Sequence, residues 1–290
     1  NSVKQILSSM LEGHLSHFTF NSTVRGISQK VIETMIAIQR DISTKFMPTA
    51  IRFHYLFNMR DLCQLLQGLL RSSPAYVKSP ELMTRLLSTE AIRVYADRLI
   101  DLDDYHKAKD IIITDTIKSF EGVIETQVMR DEMMFCAFPP DGEESTFEEN
   151  GYAPMISTEL VTKVINDQLN DYNENHAVMN LVLFKDAIEH VLRISRGITA
   201  PNGHMLLVGL GGSGKQSLVR LAADLVNFSV FQITLANNYG MTEFNTDLVK
   251  VFTQAGGKKI PTVFLFTDAQ VIDERFLIPI SDFLSTGTLP

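Results

Sequence analysis

Gly209-Leu210-Gly211-Gly212-Ser213-Gly214-Lys215 follows a short apolar run, Met205-Leu206-Leu207-Val208, and precedes an amphipathic stretch, Gln216–Val226. Four glycines and a lysine between a strand pattern and a helix pattern leave few folds open. The chain must turn sharply with several backbone N–H groups pointing inward, and such a nest favours an anion. The helix start adds roughly half a positive charge, and Lys215 adds a full one. The segment fills the first seven positions of G-x-x-x-x-G-K-[ST] in the strand–loop–helix context that the motif requires. It is read as a phosphate-binding loop for a nucleotide, ATP or ADP, with Gly209, Gly211, Gly212, Ser213, Gly214, Lys215, Gln216 and Ser217 as its residues. The eighth position departs from the pattern. Gln216 stands where a hydroxyl would reach Mg²⁺, and Ser217 comes one residue later, about 100° around the helix. Gln216 offers a carbonyl oxygen of different reach and is kept as a candidate metal ligand.

A nucleotide site also needs an acid at the end of a neighbouring strand. Thr262-Val263-Phe264-Leu265-Phe266-Thr267-Asp268 supplies one. Asp268 is assigned as the catalytic and metal-side carboxylate, holding Mg²⁺ or its water. The alternative is a turn residue at a strand end. The position after it, where hydrolysing enzymes of this type commonly carry Glu, is Ala269. Asp273 and Glu274 are read as the acidic start of a helix running to Leu284.

The rest of the chain divides in two. Val31, Ile32, Met35, Ile36, Ile38 and Ile42 recur at helical spacing from Ser28, a candidate N-cap, to Phe46. Arg52–Phe57 is an extended aromatic run. Asn58 precedes an N-capped helix over Arg60–Leu70, and Ser79-Pro80 opens another. A further helix is expected over Tyr105–Gln127, and a short one over Val3–Leu11. The Pro/Gly-containing acidic stretch from Pro139 to Gly151 has linker composition. Helices return at Thr158–Asn173 and Leu183–Ile198. Strands at Met205–Val208, Ser229–Thr234 and Thr262–Phe266 alternate with helices, the pattern of a parallel sheet with crossovers. The expected fold class is α/β: a helical bundle followed by a partial P-loop α/β domain.

Apolar residues make up 45% of the 290, enough for sizeable cores. The net charge of -8 argues against a nucleic-acid grip, which needs a basic face. No apolar run approaches the roughly 20 residues that span a bilayer. Cys63 and Cys136 form no metal-ligand spacing and no disulfide framework. The first residues, Asn1-Ser2-Val3, and the last, Thr286-Gly287-Thr288-Leu289-Pro290, read as those of a piece from a longer chain.

With these motifs in place, the chain resembles axonemal dynein heavy chains. Gly209–Ser217, read Gly-Leu-Gly-Gly-Ser-Gly-Lys-Gln-Ser, is similar to the phosphate loop of their fourth AAA+ module, departure at Gln216 included. Asn180–Ala187 resembles the entry to that module. Val263–Gln270 with Asp273–Leu277 resembles its second nucleotide motif, and Pro48–Leu62 resembles the lid of the third module. The resemblance covers most of the chain. It implies residues 1–27 as the end of a preceding large subdomain, 28–138 as the AAA+ lid, 139–155 as a linker and 156–290 as a truncated P-loop large subdomain. It also implies a motor acting on microtubules through a stalk that lies outside this sequence. The implied partners are the remaining AAA+ modules and the intermediate and light chains. The implied place is the cytoplasm and cytoskeleton, in the axoneme of cilia or flagella. In AAA+ lids an Arg near a helix start often reaches the preceding module's nucleotide, and Arg60 sits at that place. The alternative is an ordinary surface Arg paired with Asp61 or a neighbour. Two rivals to the motor reading are a structural spacer with a vestigial P-loop and an unrelated P-loop ATPase or kinase.

Overall fold

The computed structural model describes residues 2–122, 124–125, 133–142, 151–155 and 157–288. They form two compact units, Asn1–Ile156 and Ser157–Pro290.

The first unit is helical: α1 (Ser2–His17), α2 (Ser22–Gly26), α3 (Ser28–Lys45), α4 (Met59–Leu69), α5 (Pro80–Ala91) and α6 (Leu102–Phe120). Its core follows from side chains spaced three and four apart. Leu7, Leu11 and Leu15 line one face of α1, and Val31, Ile32, Met35, Ile38 and Ile42 line one face of α3. Ala108, Ile112, Thr116 and Phe120 do the same on α6. The one hydroxyl in that row is satisfied, because Thr116 donates to the Ile112 carbonyl at 2.7 Å. The α4 and α5 starts are capped as expected: Asn58 Oδ1 accepts from the Arg60 amide at 2.8 Å, and Ser79 Oγ from the Leu82 amide at 3.3 Å. Ser28 is not a cap. Ile27 both ends α2 and starts α3, so Ser28 lies inside the helix with its hydroxyl near Glu12.

The Arg52–Phe57 run forms no strand. Tyr55 is buried and takes the role of an anchor: its hydroxyl donates to Asp104 at 3.1 Å and accepts from the Ile100 amide at 3.0 Å. Arg52 pairs with both Asp101 and Asp104. A two-residue antiparallel ribbon, β1 (Phe135–Cys136) with β2 (Ala153–Pro154), brackets the acidic stretch. Most of that stretch, 143–150, and the expected helix end at 126–127 lie outside the described residues. Burial pushes the Cys136 thiol up to about 12, so it is inert at neutral pH.

The second unit holds α7 (Thr158–Asn175), α8 (Lys185–Ile198), α9 (Lys215–Leu225), α10 (Met241–Phe252) and α11 (Leu277–Thr286). Strands β3 (Ser229–Phe231) and β4 (Thr262–Phe264) pair in parallel, with Val230 opposite Val263, and α10 lies between them in sequence. Parallel neighbours need such a crossover. Ile233, Phe244, Leu248 and Phe276 form the core beneath, with Phe244 and Phe276 stacked at 4.4 Å. The expected strand Met205–Val208 joins no ladder among the described residues. A strand is defined by its partner, and β3 and β4 pair with each other. Leu206 and Val208 are accordingly 89% and 86% exposed.

A phosphate-binding loop at the carboxyl end of a parallel pair

The approach to the glycine loop is set by a close crossing. A side chain on Gly203 would place its Cβ 2.0 Å from the Gly197 carbonyl oxygen at the end of α8. The loop then turns through Gly212 (φ 76°) and Gly214 (φ 75°), both left-handed, a conformation that glycine adopts without steric cost. Gly214 is the N-cap of α9 and gives it no side-chain cap. Asn58, Ser79 and Ser157 satisfy first-turn amides of α4, α5 and α7 with their own oxygens, whereas α3, α6 and α8 share with α9 the lack of a side-chain cap. At α9 that task is left to something outside the helix, which is the condition for holding an anion.

Lys215 points into the loop. Its Nζ donates to the carbonyls of Gly209 at 2.8 Å and Leu210 at 2.6 Å, and to Ser213 Oγ at 3.3 Å. The ammonium thus sits beside the backbone that would cradle phosphate, within reach of Ser213. Ser217, the displaced hydroxyl of the motif, is half-buried on the first turn of α9.

The second half of the site hangs on the end of β3. Asp268 is exposed and opens a short 3₁₀ turn, Asp268–Gln270, beyond β4. Gln270 is buried. Its Oε1 accepts from the Thr267 amide and hydroxyl at 2.9 and 3.1 Å, and its Nε2 donates to the Ile233 carbonyl at 2.6 Å. The preceding residue, Gln232, reaches the other way. Its Nε2 donates to Gln216 Oε1 at 3.3 Å, and its Oε1 accepts from Arg220. Consecutive residues at the carboxyl end of β3 therefore tie down both the start of α9 and the Asp268 turn. That edge is where ligands sit in open α/β sheets. Sequence reading missed Gln232, Arg220 and Gln270. The signal for the first two was the i, i+4 spacing of Gln216 and Arg220, which puts both on one helix face.

Uncapped amides, left-handed glycines and Lys215 fit nucleotide phosphates. Gln216 Oε1 accepts from Gln232 at 3.3 Å and keeps a second lone pair, so it can still face a metal or its water. Among the described residues no group of three or more His, Cys, Asp or Glu is placed to hold a metal ion.

Arg60 lies in the other unit, exposed on the first turn of α4. Asp61 is not its partner. Asp61 is buried, accepts from the Asn58 amide at 2.6 Å and pairs with Arg98 at 3.0 Å.

Fold and site together define a P-loop nucleotide-binding AAA+ module preceded by a helical lid. Residues 179–290 match the family model described as the P-loop containing dynein motor region D4, and residues 31–131 match the AAA+ lid domain. Over all 290 residues the chain is 40% identical to dynein axonemal heavy chain 11 of Sus scrofa. It is 39% identical over 285 residues to dynein axonemal heavy chain 17 of Homo sapiens, and 38% identical to the dynein alpha chain of the flagellar outer arm of Chlamydomonas reinhardtii. By sequence its homologues are axonemal dynein heavy chains, at about 40% identity over the whole chain. The chain spans about 6% of the length of these relatives. No helix among the described residues is long and apolar enough to cross a membrane.

Proposed function

We propose that this chain contributes an ATP-binding module to a dynein motor ring that drives microtubule-based movement in the axoneme of cilia or flagella. The observation that carries the reading is the uncapped start of α9 behind left-handed Gly212 and Gly214, with Lys215 folded into the loop. ATP and ADP share the phosphates this arrangement recognises. The remaining AAA+ modules, the intermediate and light chains, and microtubules reached through the stalk are the partners in this reading. Residues 1–27, 28–138, 139–155 and 156–290 stand as its four segments: the end of the third module's large subdomain, its lid, a linker and the fourth module's P-loop subdomain. No nucleic acid enters, in keeping with the net charge of -8.

The module's part in that motor is to hold nucleotide, with weak or regulatory hydrolysis. Asp268, exposed beyond β4, is the acid of the proposed set, with the role of holding the metal or its water. Ala269 follows it in place of a second acid, and Gln216 replaces the metal-side hydroxyl. Phosphoryl transfer rests almost wholly on positioning and charge, so each loss is severe. Arg60, exposed on its lid helix, is the residue proposed to reach the preceding module's nucleotide.

A steady-state phosphate-release assay on the purified chain, with Lys215→Ala as the contamination control, tests this. Turnover well below about 1 s⁻¹, the low end of ordinary enzymes, is expected. Turnover at or above that level that vanishes in Lys215→Ala would make this an autonomous ATPase and overturn the reading.

A further inference from the structure

We infer that Tyr152 latches the end of the 139–155 segment onto the helical unit, so that the segment hands movement of α4 on to the chain that follows and is not a slack tether. The latch is independent of the nucleotide site. Its consequence for movement rests on the reading of the chain as part of a motor ring.

Linker composition predicts exposed ends. Phe138 at one end is only 1% exposed, and Tyr152 and Ala153 at the other are 1% exposed as well. The Tyr152 hydroxyl donates to Glu90 Oε1 at 2.8 Å. The Arg71 guanidinium lies over its ring, 4.4 Å from the centroid, and the Phe135 ring is 5.4 Å away. Glu90 is fully buried near the end of α5, where a carboxyl group needs a donor in place of water. Its side chain crosses so close to α4 that a Cβ on Gly68 would stand 2.0 Å from Glu90 Oε2. Glycine at 68 is what lets the carboxyl group pass. One phenol thus gathers α5 through Glu90, the end of α4 through Arg71 and β1 through Phe135.

Further hydrogen bonds hold the flanks. Thr89 Oγ1 donates to the Met133 carbonyl at 2.7 Å, and the Met155 amide donates to the Met134 carbonyl at 2.8 Å. Met155 stands two positions before Ser157, the cap of α7, so little chain is left between the last fastened residue and the next helix. At the other end of the latch, α4 is a rod of 11 residues, about 16 Å long. Arg60 lies on its first turn, and Gly68 and Arg71 lie at its far end. Close-packed side chains resist compression, so a shift of α4 carries Glu90, Tyr152 and the end of the segment with it.

Hydrogen exchange read by mass spectrometry, on the native chain and Tyr152→Phe, tests the latch. The variant keeps the ring and removes the donor to Glu90. Peptides over 133–136 and 152–155 are expected to exchange about tenfold faster or more, the scale of one buried hydrogen bond to a carboxyl group, while α3 and α6 keep their native rates. Unchanged rates at 152–155 would remove the latch. Equal acceleration across the whole helical unit would make Tyr152 an ordinary core residue. The coupling is tested by gliding velocity in the full-length heavy chain, where Tyr152→Phe is expected to lose velocity relative to native. Native velocity alongside the local acceleration overturns the coupling and leaves the motor reading standing. A native heavy chain that moves no microtubules takes down the motor reading and the coupling together.

Discussion

Asn58 and Asp61 show what a single residue's chemistry decides. The Asn58 cap was legible because a short side-chain oxygen ahead of an apolar-periodic segment has few other uses. The partner of Asp61 was not, since Arg98 lies 37 residues on and pairing at that distance leaves no local pattern. The outcome matters for Arg60. With Asp61 held by Arg98 and by the Asn58 amide, the Arg60 guanidinium makes no hydrogen bond or ion pair among the described residues. Arg60→Ala is therefore expected to leave the unfolding midpoint of the helical unit within about 0.5 kcal/mol of native, the usual range for a surface change. In the full-length heavy chain the same substitution should alter motor ATPase or gliding velocity. Loss of folding with unchanged motor rates would return Arg60 to a structural role.

At the scale of elements, periodicity carried the helices. α3, α4 and α9 stand within a residue or two of their expected bounds, and α5 starts where Ser79-Pro80 placed it, because a 3.6-residue apolar repeat determines them locally. The strands were less legible. β3 and β4 are three residues each, shorter than the apolar runs that announced them, and Met205–Val208 has the composition of a strand without a ladder. The β1–β2 ribbon went unread because two residues a side carry no alternation. The capped start of α4 gives a quantitative test. Asp61→Ala removes the reciprocal half of the capping box and leaves Arg98, stacked on Phe57 at 4.4 Å, without its carboxylate. The cost should be about 2–4 kcal/mol, summing a lost cap and a charged hydrogen bond. A urea titration following the near-ultraviolet signal of the buried tyrosines Tyr55, Tyr95 and Tyr152 would read it. An unchanged midpoint would mean that the pair contributes nothing.

For the whole molecule, two compact units and a glycine loop were within reach of the sequence, and so was the resemblance to axonemal dynein heavy chains. The fastening of the site was not. Gln232 and Gln270 are ordinary polar residues in sequence, and only the parallel pairing of β3 with β4 gives them their task of holding α9 and the Asp268 turn at one sheet edge. All of this serves the claim that Gly209–Ser217 holds a nucleotide through backbone amides and Lys215. Isothermal titration of ATP into the chain, native against Lys215→Ala, measures that directly. One saturable site per chain is predicted, weakened roughly tenfold or more by the substitution as one full charge leaves the phosphate cluster. Equal affinity in the two proteins would contradict it.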